Sequence, residues 1–282
     1  MVACDVSSTV PKWFGGAPRV LFVHAHPDDE TIATGGSLAA LAAAGLEPLL
    51  VTLTRGEQGE VVSGPLEAMA AAHGLAVVRQ NELKNALAML GVERHAFLGV
   101  PPARVEGQQP TIYEDSGMEW QADGRAGASE NASTDALTHV PAVESLTDLL
   151  AAAHDSGAGA IVSYDDGGGY GHPDHVHAHR IARAVAAALD LPFWEIVSQP
   201  AEDAGEGVES HDITPWYERK LAALRSHATQ LTVDGDDIVH VGGQRQPIDR
   251  VERFRLVDDP HRNTAEAQPN NTAQPGNVET RA

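Results

Sequence analysis

The 282-residue chain carries 40 Asp and Glu against 19 Lys and Arg, a formal net charge of −21. That length suffices for one large α/β domain or two small ones, and that charge argues against nucleic-acid and anionic-membrane partners, which need Lys/Arg stripes. One cysteine (Cys4), no basic-then-apolar leader in residues 1–18 and no apolar run near the roughly 20 residues of a membrane span point to a soluble, cytoplasmic protein.

Residues 1–18 read as an irregular arm. Val20-Leu21-Phe22-Val23 is short, uncharged, β-branched and aromatic, as expected of a buried parallel strand. It runs into His24-Ala25-His26-Pro27-Asp28-Asp29-Glu30, two imidazoles and three carboxylates beside the core. Residues 31–45, rich in Ala and Leu and closed by Gly45, read as a helix. The acidic cluster therefore sits at the carboxyl end of the first strand, where open α/β sheets build their binding crevices. Residues 47–53 form a second extended run, completing a β-α-β unit whose exit loop is Thr54-Arg55-Gly56-Glu57-Gln58-Gly59-Glu60. Helical spacing over 66–90 is interrupted at Gly74 and stopped by Gly91, and 95–98 reads as a short strand.

Periodicity disappears over 99–141, where Pro, Gly, Gln, Ser and Asp dominate; loops of this length are usually functional or disordered. A helix over 142–154 and a strand over 158–163 lead to a second polar cluster, Tyr164-Asp165-Asp166-Gly167-Gly168-Gly169-Tyr170-Gly171-His172-Pro173-Asp174-His175. A helix over 176–189, a strand over 193–197, a helix over 214–229 and late strands within 238–257 follow. The fold class is thus a single Rossmann-like α/β domain over 19–257, a mostly parallel sheet with helices on both faces and a small C-terminal extension. Residues 258–282 have little to bury and read as a disordered tail.

Both clusters follow strands and precede helices, so parallel strands would bring them together. His26 and Asp29 are three apart, as are His172 and His175, and that spacing in a first helical turn puts side chains on one face. Two His and one carboxylate with an open position suit catalytic Zn2+ or Fe2+, and the surplus groups suit acid–base work. His24 reads as a packed strand residue and His179 as a solvated or supporting one. Glu30 serves the helix N-terminus or the substrate equally well.

Ala25-His26-Pro27-Asp28-Asp29-Glu30 and Gly168-Gly169-Tyr170-Gly171-His172-Pro173-Asp174-His175 resemble the LmbE-like (PIG-L type) N-acetylglucosaminyl deacetylases. Thr54 to Val61, Asp115-Ser116-Gly117-Met118 and His227-Ala228-Thr229-Gln230 are similar to the actinobacterial branch acting on N-acetylglucosaminyl-inositol on the route to mycothiol. The resemblance, over 19–256, implies a metal, Zn2+ or Fe2+, held by His26, Asp29 and His175. It makes Asp28 the general base. It makes His172, oriented by Asp174, a cationic oxyanion stabiliser or the acid for the leaving amine. Tyr170 would add a hydrogen bond to the tetrahedral intermediate, and Arg79 and Asp115 would contact the sugar-inositol. The implied partner is a small N-acetyl sugar.

Three other functions compete. One is a mycothiol S-conjugate amidase, a branch that tends to carry a Lys absent from Thr31-Ile32-Ala33-Thr34. Another is a deacetylase of a different N-acetyl sugar, such as a chitobiose or an antibiotic intermediate. The third is a non-catalytic sugar- or metal-binding relative, in which Asp28 would be free to drift.

Overall fold

The computed structural model describes residues 9–120, 122, 124, 126–129, 132–198 and 207–258. Among these, seven strands form one sheet in the order β3-β2-β1-β6-β7-β12-β8. Strands β1 (Val20–His24), β2 (Leu49–Thr52), β3 (Arg94–Phe97), β6 (Ala160–Ser163) and β7 (Phe193–Ile196) are parallel. At the far edge β12 (Val251–Asp258) runs antiparallel to both β7 and β8 (Val208–Asp212).

Alternation along β1 explains the two layers of helices. Val20 and Phe22 join a core with Leu38, Leu83 and Leu221, from α1 (Asp29–Ala43), α3 (Leu75–Leu90) and α6 (Tyr217–Leu224). Leu21 and Val23 face the other way, towards Leu149 and Ile181 of α4 (Ala142–Ser156) and α5 (Pro173–Ala188). A strand buried on both faces needs no polar side, which is why β1 reads as a continuous apolar run. Strand order reverses at β1, flanked by β2 and β6, so the loops leaving β1 and β6 border the crevice of the switch point.

The structure departs from the sequence reading mainly at element ends. Helix α1 begins at Asp29 instead of 31, and α5 at Pro173 instead of 176. In both cases the polar clusters occupy the first turn, which apolar periodicity cannot register; Pro173 at the helix start is pre-set for it. Gly74 divides the expected long helix into α2 (Pro65–His73) and α3, and Gly91 caps α3 in the left-handed conformation. The helix expected over 214–229 is a 3-10 turn, Thr214–Trp216, followed by α6. Strand β8 was not anticipated. Nor was β9 (Leu231–Asp234), which with β10 (Asp237–His240) and β11 (Arg245–Pro247) makes a separate small sheet.

The described part of the N-terminal arm, residues 9–18, holds a kinked 3-10 stretch (Val10–Gly16) and is not peripheral. Val10, Trp13 and Phe14 are buried, Trp13 stacks on His211 at 4.0 Å, and Glu209 accepts the N–H groups of Phe14 and Gly15. Much of the 99–141 stretch is anchored as well. Asp148 of α4 accepts hydrogen bonds from Arg104 (2.8 Å), Tyr113 (2.7 Å) and the Val105 N–H (3.0 Å). A hairpin of β4 (Met118–Trp120) and β5 (Ala126–Ala128) projects from it. The tail beyond 258 lies outside the described residues.

Candidate metal and catalytic site

The carboxyl ends of β1 and β6 bring the two clusters together as their spacing requires. His26 Nδ1 lies 3.2 Å from Asp29 Oδ2 and 3.3 Å from His175 Nε2, and His175 Nε2 lies 3.2 Å from Asp29 Oδ2. A tetrahedral ion with bonds of about 2.0–2.1 Å would set its donor atoms about 3.3 Å apart. The donor set therefore fits a divalent metal. Its supports fit too: the opposite ring nitrogen of His26 faces Asp174 Oδ2 at 3.2 Å, and that of His175 donates to the Gly168 carbonyl at 3.2 Å. Such outer partners fix which nitrogen is free to ligate. Burial alone would raise the Asp29 pKa, but His175 and His26 outweigh it and hold the carboxyl well below its usual range.

Two looser groups share His26: one with His172 and His175, the other with Asp115 and Asp174. In the second, both carboxylates address His26 through Nε2, the nitrogen turned away from Asp29. We therefore read them as supports of the ring.

Asp28 sits beside this set with φ 124° and ψ −35°, a conformation rarely adopted by a residue with a Cβ. Burial and the adjacent Asp29 push its carboxyl up to about 7, near the range of a general base working at neutral pH. The two neighbouring carboxylates are thus driven apart, one kept ionised by imidazoles and the other poised to exchange a proton.

His172 caps α5, its Nδ1 accepting the Asp174 N–H at 3.2 Å. With Nδ1 accepting, the proton belongs on Nε2. Burial, His26 and His175 push its pKa down to about 3, so the cationic form expected from the sequence is disfavoured here. Asp174, expected to orient His172, meets it through its backbone N–H, while its carboxylate takes the Ser116 N–H at 2.9 Å and supports His26. Tyr170 is exposed at the mouth, its ring edge-on to His175 at 5.1 Å and tilted against exposed Trp120 at 6.1 Å.

Arg79 is buried beneath the loop after β2, donating to the Glu60 carbonyl at 3.2 Å, with Nε unpartnered. A Cβ at Gly56 or Gly59 would lie 2.3 or 2.1 Å from its guanidinium, which explains the glycines of that loop. Asp115 is also buried; its Oδ1 lies 3.5 Å from His26 Nε2 and accepts the Gly117 N–H at 2.8 Å. Asp115 thus touches a proposed metal ligand. His24 binds Thr34 and His179 donates to the Tyr164 carbonyl, so neither joins the ligand set.

Sequence reasoning missed Tyr164. Its hydroxyl donates to Asp29 Oδ2 at 2.7 Å and accepts the Ala25 N–H at 2.8 Å, while its ring stacks on His175 at 4.1 Å. A lone aromatic ending β6 beside a polar cluster was the available signal.

A doubly wound α/β fold with a His/Asp donor set and a poised carboxylate at its switch point defines a class of metal-dependent hydrolase sites. The chain belongs to the GlcNAc-PI de-N-acetylase (PIG-L) family, whose profile matches residues 21–186. A Thermobifida fusca 1D-myo-inositol 2-acetamido-2-deoxy-alpha-D-glucopyranoside deacetylase is 36% identical over 283 residues, covering 86% of this chain and 93% of that protein. The enzyme of the same name from Saccharomonospora viridis is 34% identical, covering 86% and 96%. Among solved structures, the N,N'-diacetylchitobiose deacetylase of Pyrococcus horikoshii shares the fold, with a TM-score of 0.52, 21% identity and coverage of 79% and 74%. Among the described residues, no helix is long and apolar enough to cross a membrane.

Proposed function

We propose that this chain hydrolyses the acetamide of N-acetylglucosaminyl-inositol, releasing acetate and the free amine for mycothiol synthesis in a reducing cytoplasm. The carrying observation is the His26–Asp29–His175 donor set with Asp28 poised beside it. The relatives of that activity, matched over most of their length, support the choice of substrate.

His26, Asp29 and His175 would hold Zn2+, or Fe2+, which when bound polarises the amide carbonyl and acidifies water. Asp28 takes the proton as water adds to the carbonyl carbon, a contribution of roughly 10²–10⁴-fold. His172 offers Nε2–H to the developing oxyanion, a donor fixed in tautomer by the Asp174 N–H. Tyr170 closes the open side with its hydroxyl. The proton held by Asp28 is then at hand for the departing nitrogen. Arg79 supplies donors to the hydroxyls of the inositol half, and Asp115 holds the loop between that subsite and His26.

Acetate release by metal-analysed protein tests this, with N-acetylglucosaminyl-inositol, free N-acetylglucosamine, diacetylchitobiose and a mycothiol conjugate as substrates. The inositol-bearing sugar should lead in kcat/KM by about tenfold or more. Preferred cleavage of the conjugate would place the chain in the amidase branch, and no turnover of any substrate would overturn hydrolysis altogether.

A further inference from the structure

We propose that Glu30, braced by His227, is a positioning residue that holds the Asp28 backbone in its strained conformation and thereby aims the base. The inference rests on the assignment of Asp28 above. It accounts for two features that assignment leaves unused: a carboxylate with no exposure next to the site, and the His227-Ala228-Thr229-Gln230 segment.

Asp28 is pinned on both sides of its Cα. Its carbonyl accepts the N–H groups of Thr31 and Ile32 at 3.0 and 2.9 Å, opening α1. Its own N–H donates to Glu30 Oε2 at 3.0 Å. Holding both peptide groups fixes the φ of 124° between them, which a residue with a Cβ abandons unless its surroundings over-determine it. Glu30 is itself over-determined. Its Oε1 receives the Thr31 hydroxyl and meets His227 Nε2 at 3.1 Å.

The brace continues to the far side of the helical layer. The Gln230 amide nitrogen lies 3.2 Å from His227 Nδ1 and 3.3 Å from Glu82 Oε2 on α3. Glu82 also takes the Thr229 N–H and hydroxyl, each at 2.7 Å. With Nδ1 facing the Gln230 amide nitrogen, His227 carries a proton on Nε2 and donates it to Glu30. Glu30 and His227 are fully buried, so neither touches substrate. They act through Asp28.

The test uses the full-length, metal-loaded protein and the variants Glu30→Ala, Glu30→Gln and His227→Gln, with kcat, KM, bound metal and Tm read for each. Glu30→Ala should lose about 100-fold in kcat while KM stays within about twofold and metal content is unchanged. Glu30→Gln, which keeps an acceptor for the Asp28 N–H, should restore about tenfold of that loss. A melting cycle with Asp28→Gly reads the strain without catalysis. Glycine adopts positive φ freely, so Glu30→Ala, which in the parent also releases the strain at Asp28, should lower Tm less in the parent than in the Asp28→Gly background. Equal Tm losses in both backgrounds, or kcat, KM and metal falling together, would overturn the proposal. A parent without deacetylase activity would sink the functional reading and leave the melting cycle to judge the brace. Should Glu30→Ala fail to fold, Glu30→Gln and His227→Gln carry the same comparison.

Discussion

The loops leaving β1 and β6 look alike in sequence, His-Pro-Asp-Asp and His-Pro-Asp-His, yet they solve the same geometric problem differently. In the β6 loop the unusual conformations fall on Gly168, Gly169 and Gly171, with φ of 64°, 69° and 98°. His172, with φ −57°, then caps an unstrained helix, and the ligand His175 comes from its first turn. In the β1 loop the unusual conformation falls on Asp28, a residue whose side chain is the point. A glycine there would relieve strain and remove the base. Where only a turn is needed, glycine makes it; where a functional group must sit on the turn, surrounding hydrogen bonds hold it.

The largest effects should come from the ligands shared by the two loops. His26→Ala and His175→Ala should lose bound metal and at least about 10³-fold in turnover, since the ion supplies both nucleophile and electrophile activation. Strong chelation should have the same effect on activity while the helical circular dichroism persists, because both helical layers have apolar cores of their own. Loss of the helical signal would make the metal structural.

Gly168→Ala breaks the comparison from the β6 side. Its Cβ would lie 2.9 Å from the Val176 nitrogen and 3.0 Å from the His175 Cβ, at a φ of +64°. A destabilisation of roughly 3 kcal/mol is expected, with weakened metal binding, read by melting and metal titration. A silent substitution would mean that this loop places His175 by other means.

Arg79→Ala sharpens the specificity side. It should cost on the order of 1.5–3 kcal/mol in kcat/KM for the inositol-bearing substrate and far less for free N-acetylglucosamine. Equal losses on both substrates would remove Arg79 from inositol recognition. Asp115→Ala is a poorer probe, because Asp115 also faces His26 at 3.5 Å.

The smallest effect is one of pH, outside the ligand set. Burial pushes His95 down to about 4 from 6.5. Below pH 6.5 the unfolded imidazole takes a proton while the folded one stays neutral, so stability falls with pH down to about 4 and then levels. Partial exposure reduces the figure to about 1–2 kcal/mol. His95→Gln should flatten that slope in melts between the two pH values, and an unchanged slope would place the proton uptake elsewhere.

The architecture was legible because β1, β2 and β6 are apolar runs alternating with helices, a pattern with few alternatives. The two clusters were legible as one site for the same reason, since parallel strands fix where their loops go. The C-terminal third was not: β8 and β9 carry Glu, Ser, His, Thr and Asp, as exposed antiparallel strands do, and lack an apolar signature. Helix starts were missed where polar ligands fill the first turn. Roles within the site resisted sequence reading because they depend on which atom faces which. Asp174 and Asp115 support His26, and Tyr164 holds Asp29, through pairings whose partners lie 89 to 148 residues apart.

The division of labour between two adjacent carboxylates is tested most directly by measuring bound metal and kcat together for Asp28→Asn and Asp29→Asn. Asp29 faces both imidazoles, while Asp28 is pushed up to about 7 beside them. Asp28→Asn should retain the parent's metal content and lose about 10²–10⁴-fold in kcat. Asp29→Asn should lose the metal itself. Equal metal loss in the two variants, or an Asp28→Asn protein that turns over at the parent rate, would contradict the account.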